Sequence, residues 1–235
     1  MIVSIHQPHF LPWLGYFNKA LHSDVFVWLD SVQYRKNYFQ NRTRITNSHG
    51  QPMWLTVRVH AKLGTPINHV SIADPRWRQK TLKTVEQNYS KTSYFSECWP
   101  LLSAAISGSP DCLNEINFRT FDTVLQLVGA TGLRVVRSSE MEAEGADPTT
   151  RLVRMCAQFE ASHYIAGRGG KNYLRAAEFE QHGIAVIWQE FDPHRVIYSQ
   201  RSEPFVAGLS VIDCLFNEGP TRTKELILKA WRPWL

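Results

Sequence analysis

Two imidazoles three residues apart, His6 and His9, stand near the start of the chain in the stretch IHQPHFLPWLGYF, with Gln7 and Pro8 between them. An imidazole titrates near neutral pH, so it can move a proton or, once charged, pair with a phosphate. The β-branched run Ile2 to Ile5 comes before this stretch, and apolar residues at helical spacing run from Leu14 to Leu21. The pattern predicts strand, turn and helix. Open α/β sheets place ligands at the carboxyl ends of such strands, where a helix N-terminus offers unpaired N–H groups to an anion. His6 with Gln7 is the better candidate for a site, because a polar pair at that edge needs partners. His9 also reads as a surface or packing residue. In LPWLGYF, Pro12 starts the helix, Trp13, Leu14 and Phe17 suit the core, and Tyr16 is the residue free to face a ligand.

The run VFVWLD from Val25 ends on Asp30, at the same expected edge as His6. A carboxylate and an imidazole there could share acid–base work, while a strand-end Asp capping the next turn is the alternative. The segment SVQYRKNYFQNRTR, 31–44, reads as a loop held against something. Gln33, Tyr34, Asn37, Asn41 and Arg42 in it supply amides, a phenol and a guanidinium, a set that suits sugars, bases or phosphates. GRGGKNYL follows another expected strand, so Gly169, Gly170, Lys171, Asn172 and Tyr173 form a candidate phosphate turn, although the motif is neither a Walker loop nor a dinucleotide fingerprint. His6-x-x-His9 before a helix is similar to the signature of nucleotidyltransferases and class I synthetases, but Pro8 replaces their small glycine and has no N–H to offer.

The elements that would position these residues alternate strand and helix, with further strands expected at 54–59, 69–73, 133–141, 162–167 and 184–191. That order indicates an α/β fold, mainly a parallel sheet with flanking helices, in a single domain with a helical insertion at 76–130. A last helix is expected to end at Gly219. Hydrophobic residues make up 43% of the 235 positions and aromatic residues 12%, with eight tryptophans, which fits a globular chain with a ring-lined site. The net charge of +5 comes from 26 Lys and Arg against 21 Asp and Glu. Without consecutive basic blocks, this favours a small anion over nucleic acid. No apolar run is long enough to span a membrane and no leader pattern opens the chain, so a soluble cytoplasmic protein is expected. Cys98, Cys112, Cys156 and Cys214 form no CxxC pair and read as core thiols, and neither a metal site nor a cofactor is assigned. HExxH and GxSxG are also absent, which removes the common zinc-protease and serine-hydrolase readings.

The blocks HQPHFLPWLGYF, DVFVWLDSVQYRKNYFQNR, WLTVRV, YIAGRGGKNYL, YSQ and LSVIDCLFNEG occur in that order along nearly the whole chain. Together they resemble the WbqC-like protein family. Members of that family are found with bacterial O-antigen and other surface-polysaccharide genes, and some are labelled glycine transferases. The resemblance implies a cytoplasmic enzyme acting on a sugar precursor, with a phosphorylated or nucleotide-linked sugar as substrate and an acyl or aminoacyl donor. It adds Asp213 to the family-like positions and leaves His9 where the pattern is loose. His6 as general base with Asp30 orienting it follows as the expected catalytic pair. Two alternatives stay open: an ATP-using ligase or nucleotidyltransferase, and a non-catalytic sugar-binding component.

Overall fold

Val3 and Ile5 point to one side of the first strand, and Ser4, equally buried, points to the other. A strand covered on both faces requires this pattern. The computed structural model describes residues 1–143, 147–201 and 203–233. Its strands in chain order are β1 (Ile2–His6), β2 (Val25–Trp28), β3 (Arg42–Thr46), β4 (Pro52–Thr56), β5 (Val59–His60), β6 (Ser71–Ile72), β7 (Arg134–Arg137), β8 (His163–Ala166) and β9 (Ala185–Trp188). The helices are α1 (Leu14–Leu21), α2 (Trp77–Tyr89), α3 (Phe95–Ser107), α4 (Leu113–Leu127), α5 (Pro148–Ala157), α6 (Ala176–Gln181) and α7 (Val211–Lys229).

Five strands form one parallel sheet in the order β7-β2-β1-β8-β9, which is the α/β architecture expected. The chain leaves β1 toward β2 and β7, then returns to the other side of β1 to lay down β8 and β9. The point where this winding reverses lies between β1 and β8, and their carboxyl ends diverge there into a crevice.

Alternate residues feed two cores. Phe26 and Trp28 of β2 face Phe17 of α1 and Phe121 of α4, with Phe121 stacked on Phe17 at 5.2 Å and on Phe26 at 5.4 Å. Val25 and Val27 face the opposite way, onto Leu152 and Met155 of α5 and Phe179 of α6. Asp147 starts α5 by accepting from the N–H groups of Thr149 and Thr150, with Pro148 in the first turn.

The segment read as a loop up to Arg44 becomes β3 from Arg42 onward, paired antiparallel with β4. Its inward Thr43 and Ile45 are buried, an alternation too short to register among so many polar neighbours. This hairpin and the start of α7 hold the loop between β1 and α1. The Leu11 carbonyl accepts from Thr43 Oγ1 at 2.9 Å and from Ser210 Oγ at 2.7 Å, and the Pro12 carbonyl accepts from Val211 N at 2.8 Å. Leu11 itself has φ +42, a left-handed conformation that these bonds maintain.

The last helix does break at Gly219, where φ is 78 and ψ 170, and a second segment led by Pro220 follows at once. That region is accessible only to glycine, and a Cβ there would lie 2.7 Å from the Tyr94 ring. Gly219→Ala is expected to cost about 1–3 kcal/mol in urea unfolding. Gly132→Ala, where a Cβ meets nothing within 4 Å, should leave stability unchanged.

Candidate active site

A crevice of about 730 Å³ opens between the ends of β1 and β8. His6 and His9 form one wall, and the 3-10 turn Arg168–Asn172 after β8 forms the other. The first turn of α1 stands behind His9, so the chain order strand, histidine loop, helix brings the two imidazoles together at 4.7 Å between ring centroids. His9 is therefore no surface residue. It is 3% exposed, lies 5.3 Å from the Tyr16 ring and 5.5 Å from Tyr38, and neither ring nitrogen has a hydrogen-bond partner among the described residues.

The protonation state of His6 follows from its surroundings. Its Nδ1 lies 2.9 Å from the Gln7 carbonyl oxygen, an acceptor, so Nδ1 carries the hydrogen and Nε2 keeps its lone pair. Burial, reinforced by the nearby His9 and Lys19, holds its pKa well below the ordinary histidine value despite that hydrogen bond. The same carbonyl accepts from the Tyr16 hydroxyl at 3.0 Å. Tyr16 is thus a prop beneath the imidazoles rather than a lining residue, and burial pushes its phenol upward. Gln7 is fixed from the other end, its Oε1 accepting from Gln40 Nε2 at 2.8 Å.

Lys19 is the residue that sequence reasoning missed. It is 2% exposed, lines the crevice, and donates from Nζ to the Ile5 carbonyl at 2.7 Å. A Cβ added to Gly167 would come within 3.9 Å of Nζ, which puts the amine between the end of β1 and the turn after β8. Burial lowers its pKa to about 7. Helical spacing does carry a signal: Lys19 falls three residues after Tyr16, between Phe17 and Ala20, on a helix buried nearly all round. Arg35, Arg168 and Gln189 add to the polar lining, which contains no carboxylate among the described residues.

Other expected residues divide among different places. Gly169, Gly170, Asn172 and Tyr173 line the crevice, whereas Lys171 does not, its Nζ lying 5.7 Å over the Trp188 ring. Gln33, Tyr34, Asn37 and Asn41 line a second cavity, and Arg42 lies over the Trp54 ring at 4.2 Å, donating to the Asn37 carbonyl. Asp30 faces neither space. It is completely buried and accepts from Ser138 Oγ, Ser139 N, Ser139 Oγ and Asn114 Nδ2 at 2.9–3.1 Å. This corrects the expected pairing with His6, because a carboxylate at that strand end is used to tie β2 to α4 and to the turn after β7. Asp213 is likewise buried, accepting from Thr46, Tyr89 and Tyr198 hydroxyls, and burial raises its pKa. It joins α7 to β3 and α2 and lines neither the crevice nor the cavity beside it.

The thiols of Cys98, Cys156 and Cys214 are pushed up to about 12 by burial, the opposite of what a nucleophile needs. Among the described residues no three His, Cys, Asp or Glu side chains converge as metal ligands, and no helix is long and apolar enough to cross a membrane.

The model of the WbqC-like protein family matches residues 7–225. The chain belongs to that family. The match takes in Gln7, the second-cavity residues, the glycine turn and most of α7, and begins one position after His6. An uncharacterized protein of Mycobacterium tuberculosis (strain ATCC 25618 / H37Rv), Rv1507c, is 31% identical over 221 residues, covering 92% of this chain and 94% of that protein. No solved structure matches the chain.

Two outcomes test these placements. Asp30→Ala strands four buried donors and should lower unfolding free energy by about 3 kcal/mol or more in chemical denaturation. His9 takes its proton near pH 6.5 when unfolded but near 3 when folded. Between those values the unfolded chain binds more protons, so the His9 contribution is full above pH 6.5 and is lost progressively on acidification, by up to about 1.4 kcal/mol per pH unit. His9→Phe should be as stable as wild type at pH 7, since no hydrogen bond is lost, and should unfold with a flatter acid dependence in urea titrations across that window.

Proposed function

We infer that the protein is a cytoplasmic group-transfer enzyme of bacterial surface-glycan precursor synthesis, binding the phosphate-bearing part of a substrate in the crevice between β1 and β8. The observation that carries this reading is the crevice lining itself: buried Lys19, paired imidazoles and a glycine turn at the winding reversal, without a carboxylate among the described residues. Membership of the WbqC-like family supports the biosynthetic setting.

In this reading the chemistry is transfer of an acyl or aminoacyl group to an amino sugar. His6 Nε2 takes the proton from the acceptor amine as its nitrogen bonds to the donor's carbonyl carbon, and the donor's leaving group departs with its electron pair. A lowered pKa suits a base that must arrive neutral. Lys19, close to half-charged at pH 7, gains its proton when a phosphate comes against it and then stabilises that charge. Gly169 and Gly170 let the backbone approach the phosphate closely.

A second reading, an ATP-using ligase or nucleotidyltransferase, is favoured by one observation, the close approach of His6 and His9 in front of α1. Both are tested by incubating the protein with nucleotide-linked amino sugars and acyl or aminoacyl donors, with and without ATP–Mg, and following product mass. Acyl-sugar formation without AMP or pyrophosphate supports the first reading, and stoichiometric AMP or pyrophosphate supports the second. Sugar-nucleotide binding with no turnover, unaffected by His6→Gln, identifies a sugar-binding component instead.

Under the first reading His6→Ala should lower turnover by about 10²–10⁴-fold with little change in substrate binding. Affinity for the phosphorylated substrate should weaken as pH rises above 7, by up to about tenfold per unit, because the neutral Lys19 must take up a proton. Lys19→Met should bind weakly at every pH and lose this dependence in calorimetric titrations.

A further inference from the structure

The second cavity, of about 870 Å³, is walled by the 33–41 loop and by the chain from Thr56 to Leu63. It adjoins the crevice: Gln7 and Arg35 line both. Its charge is of one sign. Arg35, Lys36, Arg58 and Lys62 line it together with His60, and among the described residues no carboxylate lines it and none of the four long cations forms an ion pair. Four like charges around one concavity repel one another, and an anion entering it relieves that repulsion.

Its base is polar and held in place. The Tyr34 hydroxyl donates to Asn41 Oδ1 at 2.9 Å, and buried Asn41 donates from Nδ2 to the Val57 carbonyl at 2.8 Å. The Tyr34 N–H donates to the Thr65 carbonyl at 2.8 Å and Lys62 N–H to Thr65 Oγ1 at 3.0 Å, so the two walls are tied to each other. The volume is that of a nucleotide-sized ligand. The crevice, floored by Lys19, is a separate anion site, and the shared wall at Gln7 and Arg35 is where ligands in the two spaces would meet.

We propose that the second cavity is a distinct binding site for a second anionic substrate, a small molecule carrying a diphosphate, so that the protein holds two phosphorylated ligands at once on either side of Gln7 and Arg35. This extends the reading of the crevice as one substrate site and rests on it only for the count of two. Arg58 and Lys62 are the residues that grip the diphosphate, with Arg35 positioned to reach either ligand.

Inorganic pyrophosphate, titrated calorimetrically into the full chain at physiological salt, is the probe. Two saturable sites are expected. Arg58→Ala/Lys62→Ala, both exposed and absent from the cores, should keep the wild-type melting temperature and weaken one site by about tenfold or more, leaving the Lys19-dependent site intact. Lys19→Met should do the converse. If Arg58→Ala/Lys62→Ala removes a site while Lys19→Met removes none, the second site stands and the crevice reading fails. A single site unaffected by Arg58→Ala/Lys62→Ala overturns the proposal and spares the crevice. No binding at all overturns it too, as does an equal weakening by Lys83→Ala/Lys91→Ala on and just beyond α2, which would assign the effect to net charge.

Discussion

Three basic groups, His6, His9 and Lys19, gather around the end of β1, the last two buried and His6 half-buried, with no carboxylate beside them among the described residues. Charging any of them in that low-dielectric setting is unfavourable, and each charge raises the cost of the next. The folded protein meets this constraint by leaving the histidines neutral and bringing the lysine to the edge of deprotonation. The arrangement leaves the crevice short of countercharge, with a neutral imidazole of defined tautomer beside it.

The remaining architecture maintains that constraint. The Gln7 carbonyl takes hydrogens from His6 and Tyr16, and the Ile5 carbonyl takes one from Lys19, so two backbone oxygens at the end of β1 orient three side chains. The loop that follows is secured by hydroxyls of β3 and of the segment just before α7, which links the N-terminal motif to residues about two hundred positions away. The buried carboxylates Asp30 and Asp213 are used inside the scaffold, fully engaged with hydroxyl, amide and backbone donors. Acidic groups therefore strengthen the frame without neutralising the crevice.

Much of the fold is legible in residue patterns. The parallel strands read as continuous apolar runs because helices cover both sheet faces, and the helical stretch from α2 to α4 shows its period and its break at Gly108 to Asp111 plainly. β3 is hidden because Arg42, Thr43 and Arg44 look like loop residues until a hairpin partner buries alternate members. At the site, His6, Gln7 and the glycine turn follow from one rule about strand ends. Lys19 leaves only its helical spacing from Tyr16 as a trace, since a lysine on a helix ordinarily faces water. Asp30 misleads for a related reason, because a strand-end carboxylate looks the same in sequence whether its donors are substrate or scaffold.

What the sequence determined by itself is local: the strand and helix periods, the edge where His6 and Gln7 must emerge, and the excess of basic over acidic residues. What only the tertiary structure decided is which distant groups share a space. It joined His9 to the site, brought Lys19 beneath the glycine turn, withdrew Asp30 and Asp213 into the frame, and gathered Lys19, Arg35 and Arg168 around one cavity and Arg35, Lys36, Arg58 and Lys62 around another. The physical reason is that desolvation and charge proximity depend on packing across the chain, and residue spacing carries no measure of either.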